Sequence, residues 1–220
     1  IILSAYGEGL WLSGKGLPRR LYRGTLEFSQ DRGNLRIIND IDIETYLAGV
    51  VSGEAGDLSR LEAYKAQAVA ARTYTVKLRH NHSKEGYNLC DSTHCQLYRG
   101  QGETTQKARE AVNATRGQIV TYEGKPASTF YHSACGGRTE DMTFVWPFEK
   151  KPYLMPVRDG RLGRPYCAIA PGFRWRTKIF FTGLTRIARE ADWITPAEEA
   201  RGLRVCGWGP SGRAHELELY

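Results

Sequence analysis

The chain has 220 residues, of which 41% are hydrophobic and 11% aromatic, an ordinary composition for a folded soluble protein. Its longest apolar runs, such as YLAGVV, are too short to cross a bilayer, and its opening, IILSAYGEG, has no signal-peptide pattern. We interpret it as a trimmed or mature form that meets a membrane only through a segment absent from this chain. The net charge of +7 fits solubility or a polyanionic partner, but the scattered basic residues form no RNA-binding motif, so we expect no nucleic acid.

The first third of the chain predicts a hairpin followed by two helices. RLYRGTLEF alternates in polarity, SQDRGN is a turn and LRIIND is the second strand. Asp42 is placed to cap a short helix, IETYLAGVVSGEA, which GDL ends. Ser59 and Glu62 have the spacing of a capping box, which predicts a long second helix that runs to about Arg79.

The rest of the chain alternates between loops and short elements. A polar loop of about twenty residues precedes a third helix, TTQKAREAVNATRG, which Gly117 ends. QIVTYEGKPASTFYHS predicts two strands around a Glu-Gly turn, TGLTRIAREADW a short amphipathic helix and LRVCGWGPSGRAHELELY a closing hairpin. The predicted fold is α+β, with a central helical core, flanking antiparallel β-hairpins and long irregular loops, in one large domain or two closely packed small ones.

A single carboxylate stands out in the stretch GVVSGEAG, residues 49–56. Glu54 lies there among small and apolar residues near the end of the first helix. The ordinary interpretation is a solvated surface charge. However, the helix C-terminus disfavours an ionised carboxylate, and so do Val50 and Val51 one turn back, as a general acid near neutral pH requires.

The second helix carries two cations on an otherwise small and apolar surface. Lys65 and Arg72 are seven residues apart, two turns along one face. Cations in such surroundings need partners. They either pair internally with Asp42, Glu44 or Glu54, or they hold an anionic substrate beside the Glu54 carboxylate.

The five cysteines suggest disulfides or a metal. The stretch HNHSKEGYNLCDSTHCQLYRG contains His80, His82, Cys90, His94 and Cys95. Two interpretations stay open on the residues alone: a small disulfide between the two cysteines, or a closed tetrahedral zinc site.

The other cysteines lie in the second half of the chain. Cys135 and Cys167 are candidates for a disulfide, which leaves Cys206 as an odd cysteine, expected to be buried in a strand. Three aromatic side chains of the same half are interpreted as core residues rather than as sugar-stacking ones: Trp146, Phe148 and Tyr153.

Taken together, these stretches resemble the SpoIID family, the stage II sporulation protein D and amidase-enhancer (LytB-like) group. The resemblance runs from YRGTLEF through GNLRIINDIDIETYLAGVVSGEA, LEAYKAQAVAARTY and CDSTHCQLYRG to ATRGQIVTYEGKPASTFYHSACGGRTED and KPYLMPVRD, and it is densest over residues 22–160. It implies a SpoIID-type catalytic domain over residues 1–220. The usual Gly-His-rich segment of the form GWGHGVGMSQ is missing, and GWGPSGR stands near the end instead.

The resemblance implies a reaction. Members are lytic transglycosylases that cleave the bond between N-acetylmuramic acid and N-acetylglucosamine in peptide-free glycan strands and leave 1,6-anhydro ends. By matching positions, Glu54 is implied as the general acid and base. Lys65 and Arg72 are implied to bind the glycan, and Tyr131 and Ser133 to contact sugar.

The resemblance also implies a cofactor and partners. It favours a structural zinc, held by His82, Cys90, His94 and Cys95, with His80 as a substitute for either histidine. The expected partners are peptidoglycan glycan strands and a cell-wall amidase, in an extracytoplasmic location. Two alternatives remain: a non-catalytic glycan-binding module that enhances an amidase, and a metallohydrolase that uses the Cys/His loop.

Overall fold

A computed structural model describes residues 1–56, 58–146 and 150–220, apart from the side chains of Ala5, Tyr6 and Leu17. The chain divides into two compact units, Ile1–Tyr131 and His132–Tyr220. The elements of the first unit are β1 (Ile2–Gly14), β2 (Leu17–Asp31), β3 (Asn34–Asp40), α1 (Ile43–Glu54), α2 (Leu61–Leu78), α3 (Gln106–Ala114), β4 (Thr121–Tyr122) and β5 (Lys125–Pro126). The second unit contains α4 (Phe181–Glu190), β6 (Leu203–Trp208) and β7 (Ala214–Leu219). These helices and antiparallel hairpins confirm the predicted α+β class, and no helix in the described ranges has the length and apolar character needed to span a bilayer.

The first unit opens with an antiparallel sheet in the order β1-β2-β3. The predicted hairpin is β2 and β3, which turn through Arg32 and Gly33, both with positive φ, as a tight hairpin turn requires. Sequence analysis did not predict β1. Its run ILSAYGEGLWLSG contains three glycines, which are uncommon in strands, and a register shift between Ala5 and Leu10 interrupts its pairing with β2.

Three helices form the core of the first unit. Asp42 caps α1 as predicted, because its Oδ1 accepts hydrogen bonds from the backbone N–H groups of Glu44 and Thr45. The helices pack through small and branched side chains, all nearly inaccessible: Leu47, Val50, Val51, Ala68, Ala71, Ala108, Ala111 and Val112. The predicted capping box at the start of α2 is wrong. The N-cap there is Arg60 and makes no side-chain capping bond, so Ser59 lies one residue too early.

Two glycines explain why α1 contains the sequence GVVSG. Gly49 and Gly53 are four residues apart and therefore lie on one face of the helix. A Cβ on Gly49 would be 2.7 Å from the carbonyl oxygen of Gly100, and a Cβ on Gly53 would be 3.2 Å from that of Leu97. The glycines thus let an extended segment, residues 97–101, lie directly against the helix backbone.

We expect Gly49→Ala to lower the free energy of unfolding by about 1–3 kcal/mol, because backbone atoms would have to move to admit the methyl group. Gly183→Ala is a matched control: Gly183 lies in α4, and a Cβ added there would be 3.7 Å from a side-chain methyl group of Ile179, an ordinary van der Waals contact. Alanine there should stabilise its helix by about 0.5–1 kcal/mol. Urea unfolding of both variants measures the difference in stability. Equal stability of the two would contradict the close approach of residues 97–101 to the backbone of α1.

In the second unit the predicted helix and closing hairpin are present, but the predicted burial is wrong. Cys206 in β6 is exposed, because most residues of this two-stranded sheet are exposed. Trp146 and Tyr153 are also exposed, at 42% and 36%, so they are not core residues. Phe148 lies outside the described residues.

Candidate functional site

Glu54 is the last residue of α1 and is half-buried. Its Oε1 accepts a hydrogen bond of 2.7 Å from the backbone N–H of Leu97. No hydrogen-bond partner of Oε2 occurs in the part of the chain that the structure describes. One carboxylate oxygen is therefore fixed in position, and the other is available to carry a proton.

Two tyrosines and a buried glutamine lie around this acid. The hydroxyl of Tyr131 donates to Oε1 of Gln96 at 2.9 Å, and Nε2 of Gln96 donates to Oγ1 of Thr75 at 2.8 Å. Burial, together with the charge of Glu54, raises the pKa of Tyr131. Burial raises the pKa of Tyr74 as well, and the Glu54 charge adds to the effect. Both phenols therefore stay neutral at physiological pH.

Arg72 has no donor left for a substrate, because it is buried at 2% exposure and its donors are used inside the protein. A guanidinium has five N–H groups. They are directed at Glu44 Oε1 (3.0 Å) and Oε2 (2.7 Å), Thr115 Oγ1 (3.4 Å), and the carbonyl oxygens of Val112 (3.2 Å) and Gln118 (3.1 Å). The predicted glycan contact of Arg72 is thus replaced by the internal ion pair that sequence analysis held as its alternative.

Three other residues were predicted to contact sugar. Lys65 and Ser133 are accessible, whereas Tyr131 is half-buried, with its hydroxyl donating to Gln96, and its sugar contact stays a prediction. Nζ of Lys65 lies 2.8 Å from Oε1 of Glu62, in a pair whose side chains are 30% and 81% exposed. Such surface pairs contribute little, so a ligand can displace the Glu62 carboxylate. Ser133 belongs to the second unit and is exposed. Sugar contacts by Lys65 and Ser133 stay predictions.

The four predicted zinc ligands lie together. The ligand atoms of His82, Cys90, His94 and Cys95 are all within 4.8 Å of one another. Nδ1 of His94 is 3.6 Å from the sulfur of Cys90 and 3.6 Å from that of Cys95. Tetrahedral zinc with ordinary bond lengths separates its ligand atoms by about 3.3–3.8 Å. Four protein ligands fill such a site and leave no open position for a catalytic water, which disfavours the metallohydrolase.

The state of the imidazole and thiol groups suits a metal. Nε2 of His82 is buried and has no hydrogen-bond partner among the described residues, which is costly unless something binds it. Burial opposes ionisation of Cys90, but hydrogen bonds with Ser92 and His94 outweigh it and lower the pKa of Cys90 to about 6. The thiolate is the form that binds metals. Cys95 is buried, which raises its pKa.

His80 is not part of this cluster. It is exposed, and its Nε2 accepts a hydrogen bond from the neighbouring Arg79. Both cysteines of the cluster are free thiols. The structure thus selects His82 and His94 from the three candidate histidines of the loop.

The cluster and the acid are joined by a short piece of chain. Cys95 belongs to the cluster, and two residues later Leu97 supplies the N–H that holds Glu54. Tyr74, Gln96 and Leu97 were not among the predicted site residues. A backbone donor has no side-chain signature, and the only available signal was that Gln96 and Leu97 directly follow CDSTHC.

The second unit contains another group of potential ligands. The sulfurs of Cys135 and Cys167 are 3.6 Å apart, and Asp159 lies with them. Oδ2 of Asp159 accepts a hydrogen bond of 2.9 Å from the backbone N–H of Cys167. The two cysteines that sequence analysis paired are therefore neighbours, present as free thiols.

Comparison with known proteins places this site in a described family. The family model for SpoIID, a stage II sporulation protein, matches residues 31–122. A stage II sporulation protein D of Bacillus amyloliquefaciens is 32% identical over 159 residues, which cover 66% of this chain and 46% of that protein. An amidase enhancer of Bacillus subtilis (strain 168) is 36% identical over 165 residues, which cover 73% of this chain and 21% of that protein.

An uncharacterised protein of Brachyspira hyodysenteriae (strain ATCC 49526 / WA1) is 34% identical over 134 residues, or 60% of this chain and 36% of that protein. The chain thus spans less than half the length of these relatives. The matched residues 31–122 contain Glu54, the Leu97 donor and the whole Cys/His cluster. Over residues 31–122, the chain therefore carries a segment that matches the SpoIID family.

Proposed function

We propose that this protein acts on the cell wall as a lytic transglycosylase, which cleaves the bond between N-acetylmuramic acid and N-acetylglucosamine in peptide-free glycan strands. The observation that carries the proposal is the Glu54 carboxylate, with Oε1 held by the Leu97 N–H and Oε2 available. The reaction itself is the one that the family resemblance implies.

This reaction needs one carboxyl group. Protonated Glu54 donates its proton to the glycosidic oxygen as the C1–O bond breaks, and positive charge develops at C1 of the muramic residue. The 6-hydroxyl of that residue then attacks C1, and the Glu54 carboxylate takes the hydroxyl proton. No water is consumed, so the second carboxylate of ordinary glycosidases is not required. The product ends in a 1,6-anhydro sugar, and Glu54 is protonated again.

The surroundings of Glu54 suit a single acid. Tyr74 and Tyr131 stay neutral, so they do not compete for the transferred proton. Lys65 is accessible and would bind the lactyl carboxylate that each muramic residue of a peptide-free strand carries. The formal charge of +7 favours the approach of such a polyanion.

The test is a digest of peptide-free glycan strands, read by mass spectrometry. Fragments with 1,6-anhydro ends, lighter by one water than hydrolysis products, are expected. Fragments with ordinary reducing ends would mean that water attacks and would replace the transglycosylase with a hydrolase. Intact strands would contradict both.

We also propose a structural zinc in the cluster of His82, Cys90, His94 and Cys95. Its chemistry there is to cross-link the loop through two thiolates and two imidazoles. The buried Nε2 of His82 and the 3.6 Å spacing of His94 Nδ1 to both sulfurs support this ligand set. With the loop held, the N–H of Leu97 keeps its place against Glu54.

Metal analysis of the purified protein should find about one zinc per chain bound by this cluster. Cys95→Ser should lose that zinc and unfold at lower temperature, because four-ligand sites contribute to folding directly. Cys206→Ser is the control, since Cys206 is exposed and lies outside both ligand groups. A fully active, metal-free protein with a Cys90–Cys95 disulfide would refute the zinc site.

A second candidate function is a non-catalytic glycan-binding module that assists an amidase. It is supported by the relative of Bacillus subtilis named an amidase enhancer, which matches 73% of this chain. Such a module would retain glycan strands without cutting them, and it would stimulate a purified cell-wall amidase. Both functions place the protein outside the cytoplasm, where glycan strands are found.

A further inference from the structure

The second unit contains a cavity of about 520 Å³ with a positively charged wall. Its lining includes Arg138, Arg174 and Arg213, together with Phe173 and Trp175. All of the charged side chains that line it among the described residues are arginines. The volume falls in the range of small-molecule sites, which is about 300–1,000 Å³.

Two of these arginines are held by backbone carbonyls rather than by acids. Nη1 of Arg213 donates to the carbonyl oxygen of Arg138 at 2.9 Å, and its Nη2 donates to that of Cys135. Nη1 of Arg174 donates to the carbonyl oxygens of Phe173 at 3.0 Å and Gly136 at 3.4 Å. Carbonyl oxygens orient a guanidinium without cancelling its charge, so the cavity wall remains cationic.

Two acids lie near this wall without lining the cavity, Glu140 and Asp159; the backbone N–H of Asp159 donates to the carbonyl oxygen of the lining residue Gly137. The carboxylate of Glu140 accepts hydrogen bonds from the backbone N–H and the hydroxyl of Ser211. Burial opposes ionisation of Glu140, but hydrogen bonds with Ser211 and Asp141, together with the charge of Arg213, outweigh it and lower the pKa, so this carboxylate is ionised at neutral pH. Glu140 offsets one positive charge of the three, and the remaining charge attracts an anion.

Arg138 supplies the observation that points to a ligand. Its Nε is buried, and no described residue accepts a hydrogen bond from it. A buried donor without an acceptor is unfavourable, and such groups in native proteins usually mark a binding role or an ordered water or ion. A carboxylate oxygen is the strongest acceptor that a guanidinium donor meets, because both groups are charged.

The aromatic residues indicate what carries the carboxylate. Trp175 is 79% exposed at the cavity, and Arg174 stacks over the ring of Phe173 at 3.9 Å. Exposed aromatic faces next to fixed hydrogen-bond donors suit a ligand with both an apolar face and polar edges, such as a sugar ring. A single-stranded nucleic acid instead needs a groove that follows its backbone over several nucleotides, which a single half-open pocket of about 520 Å³ does not provide.

We propose that this cavity of the second unit binds a carboxylate-bearing sugar, with Arg138 and Arg174 on the carboxylate and Trp175 against the ring. The choice of N-acetylmuramic acid as that sugar rests on the proposed function. The existence of the cationic cavity does not depend on it. The lining residues all belong to the second unit, whereas Glu54 belongs to the first. Binding here requires no cleavage.

Calorimetric titration of the Glu54→Gln protein with N-acetylmuramic acid tests the proposal, because this variant keeps the cavity. Binding is expected for N-acetylmuramic acid and at least about tenfold weaker for N-acetylglucosamine, which lacks the carboxylate. Arg174→Gln and Arg138→Gln should each weaken binding by about 10- to 100-fold. Arg174→Lys should recover only part of the loss, since lysine keeps the charge but not the planar fork. Arg186→Gln removes an exposed charge of α4 outside this cavity and should change nothing.

Several outcomes would overturn the proposal. Equal affinity for both sugars would show that the carboxylate is not recognised, and wild-type affinity of Arg138→Gln and Arg174→Gln would place binding elsewhere. If a ten-nucleotide single-stranded DNA bound more tightly than the sugar acid, the cationic wall of the cavity would be a nucleic-acid site instead. If the wild-type protein bound the sugar in the cavity but did not cleave glycan strands, the proposed function alone would be rejected. If it cleaved strands but did not bind the sugar in the cavity, this inference alone would be rejected.

Discussion

Glu54→Gln should reduce the release of anhydro-ended fragments from peptide-free glycan strands by at least about 100-fold. A positioned general acid typically contributes about 10²–10⁴ to a rate, and an amide can neither give nor take the proton. Glutamine keeps an oxygen that accepts the Leu97 N–H, so the fold should be unchanged. Mass spectrometry of timed digests measures the rate, and a pull-down on insoluble strands shows whether binding is retained.

Glu110→Gln provides the matched control. Glu110 is an exposed residue of α3, so the same chemical change there should leave activity at the wild-type level. If Glu54→Gln retained more than about a tenth of the wild-type rate, Glu54 would not be the acid. If neither the wild type nor the variant cut strands but both retained them, the amidase-enhancing module would become the better interpretation.

Arg72→Met should lower the free energy of unfolding by about 3–5 kcal/mol, which many single domains cannot tolerate. The substitution leaves the carboxylate of Glu44 buried, at 8% exposure, without its cation. Arg186→Met is the control, because its ion pair with Glu190 is exposed and should contribute no more than about 1 kcal/mol. Chemical unfolding followed by circular dichroism compares the two.

A double variant separates folding from catalysis. Arg72→Met combined with Glu44→Leu removes both charges, and replacing a buried pair by apolar residues is often neutral. We expect it to recover most of the lost stability and to cut glycan at close to the wild-type rate. A double variant that folds but no longer binds glycan would restore Arg72 to the substrate site. A stable Arg72→Met single variant would contradict the importance of the pair.

Local signals in the sequence predicted the elements that depend on local contacts. Asp42 caps α1 because its side chain reaches N–H groups two and three residues away, and Gly33 closes the β2–β3 turn by adopting a positive φ. The start of α2 was misjudged because the S-x-x-E spacing was present one residue before the actual N-cap. The burial of Cys206 was also wrong, since a strand pattern does not tell whether a two-stranded sheet is covered.

The same distinction applies to the candidate site, where side chains in local motifs were predicted and contacts between distant residues were not. Glu54 and the four cluster residues are side chains within recognisable motifs, and the structure brings the cluster residues together; zinc binding by them stays a prediction. Arg72 shows the limit, because helical spacing places it on a face without revealing whether that face meets solvent or Glu44. The cavity of the second unit combines residues far apart in the chain, Arg138, Arg174 and Arg213, which no spacing rule connects.

The contact between α1 and residues 97–101 has a consequence for how the protein folds. The hydrogen bond from Leu97 to Glu54 spans 43 positions of the sequence, and the one from Gln101 to Thr45 spans 56 positions. Helix α1 has 12 residues, two of them the glycines that allow this contact, so alone it is a marginal helix. Closing so long a stretch of chain costs entropy before any contact is gained, and contacts of this separation slow folding. We therefore expect the carboxylate to be oriented only when residues 97–101 dock on α1, so that a partly folded chain without this contact lacks an ordered acid.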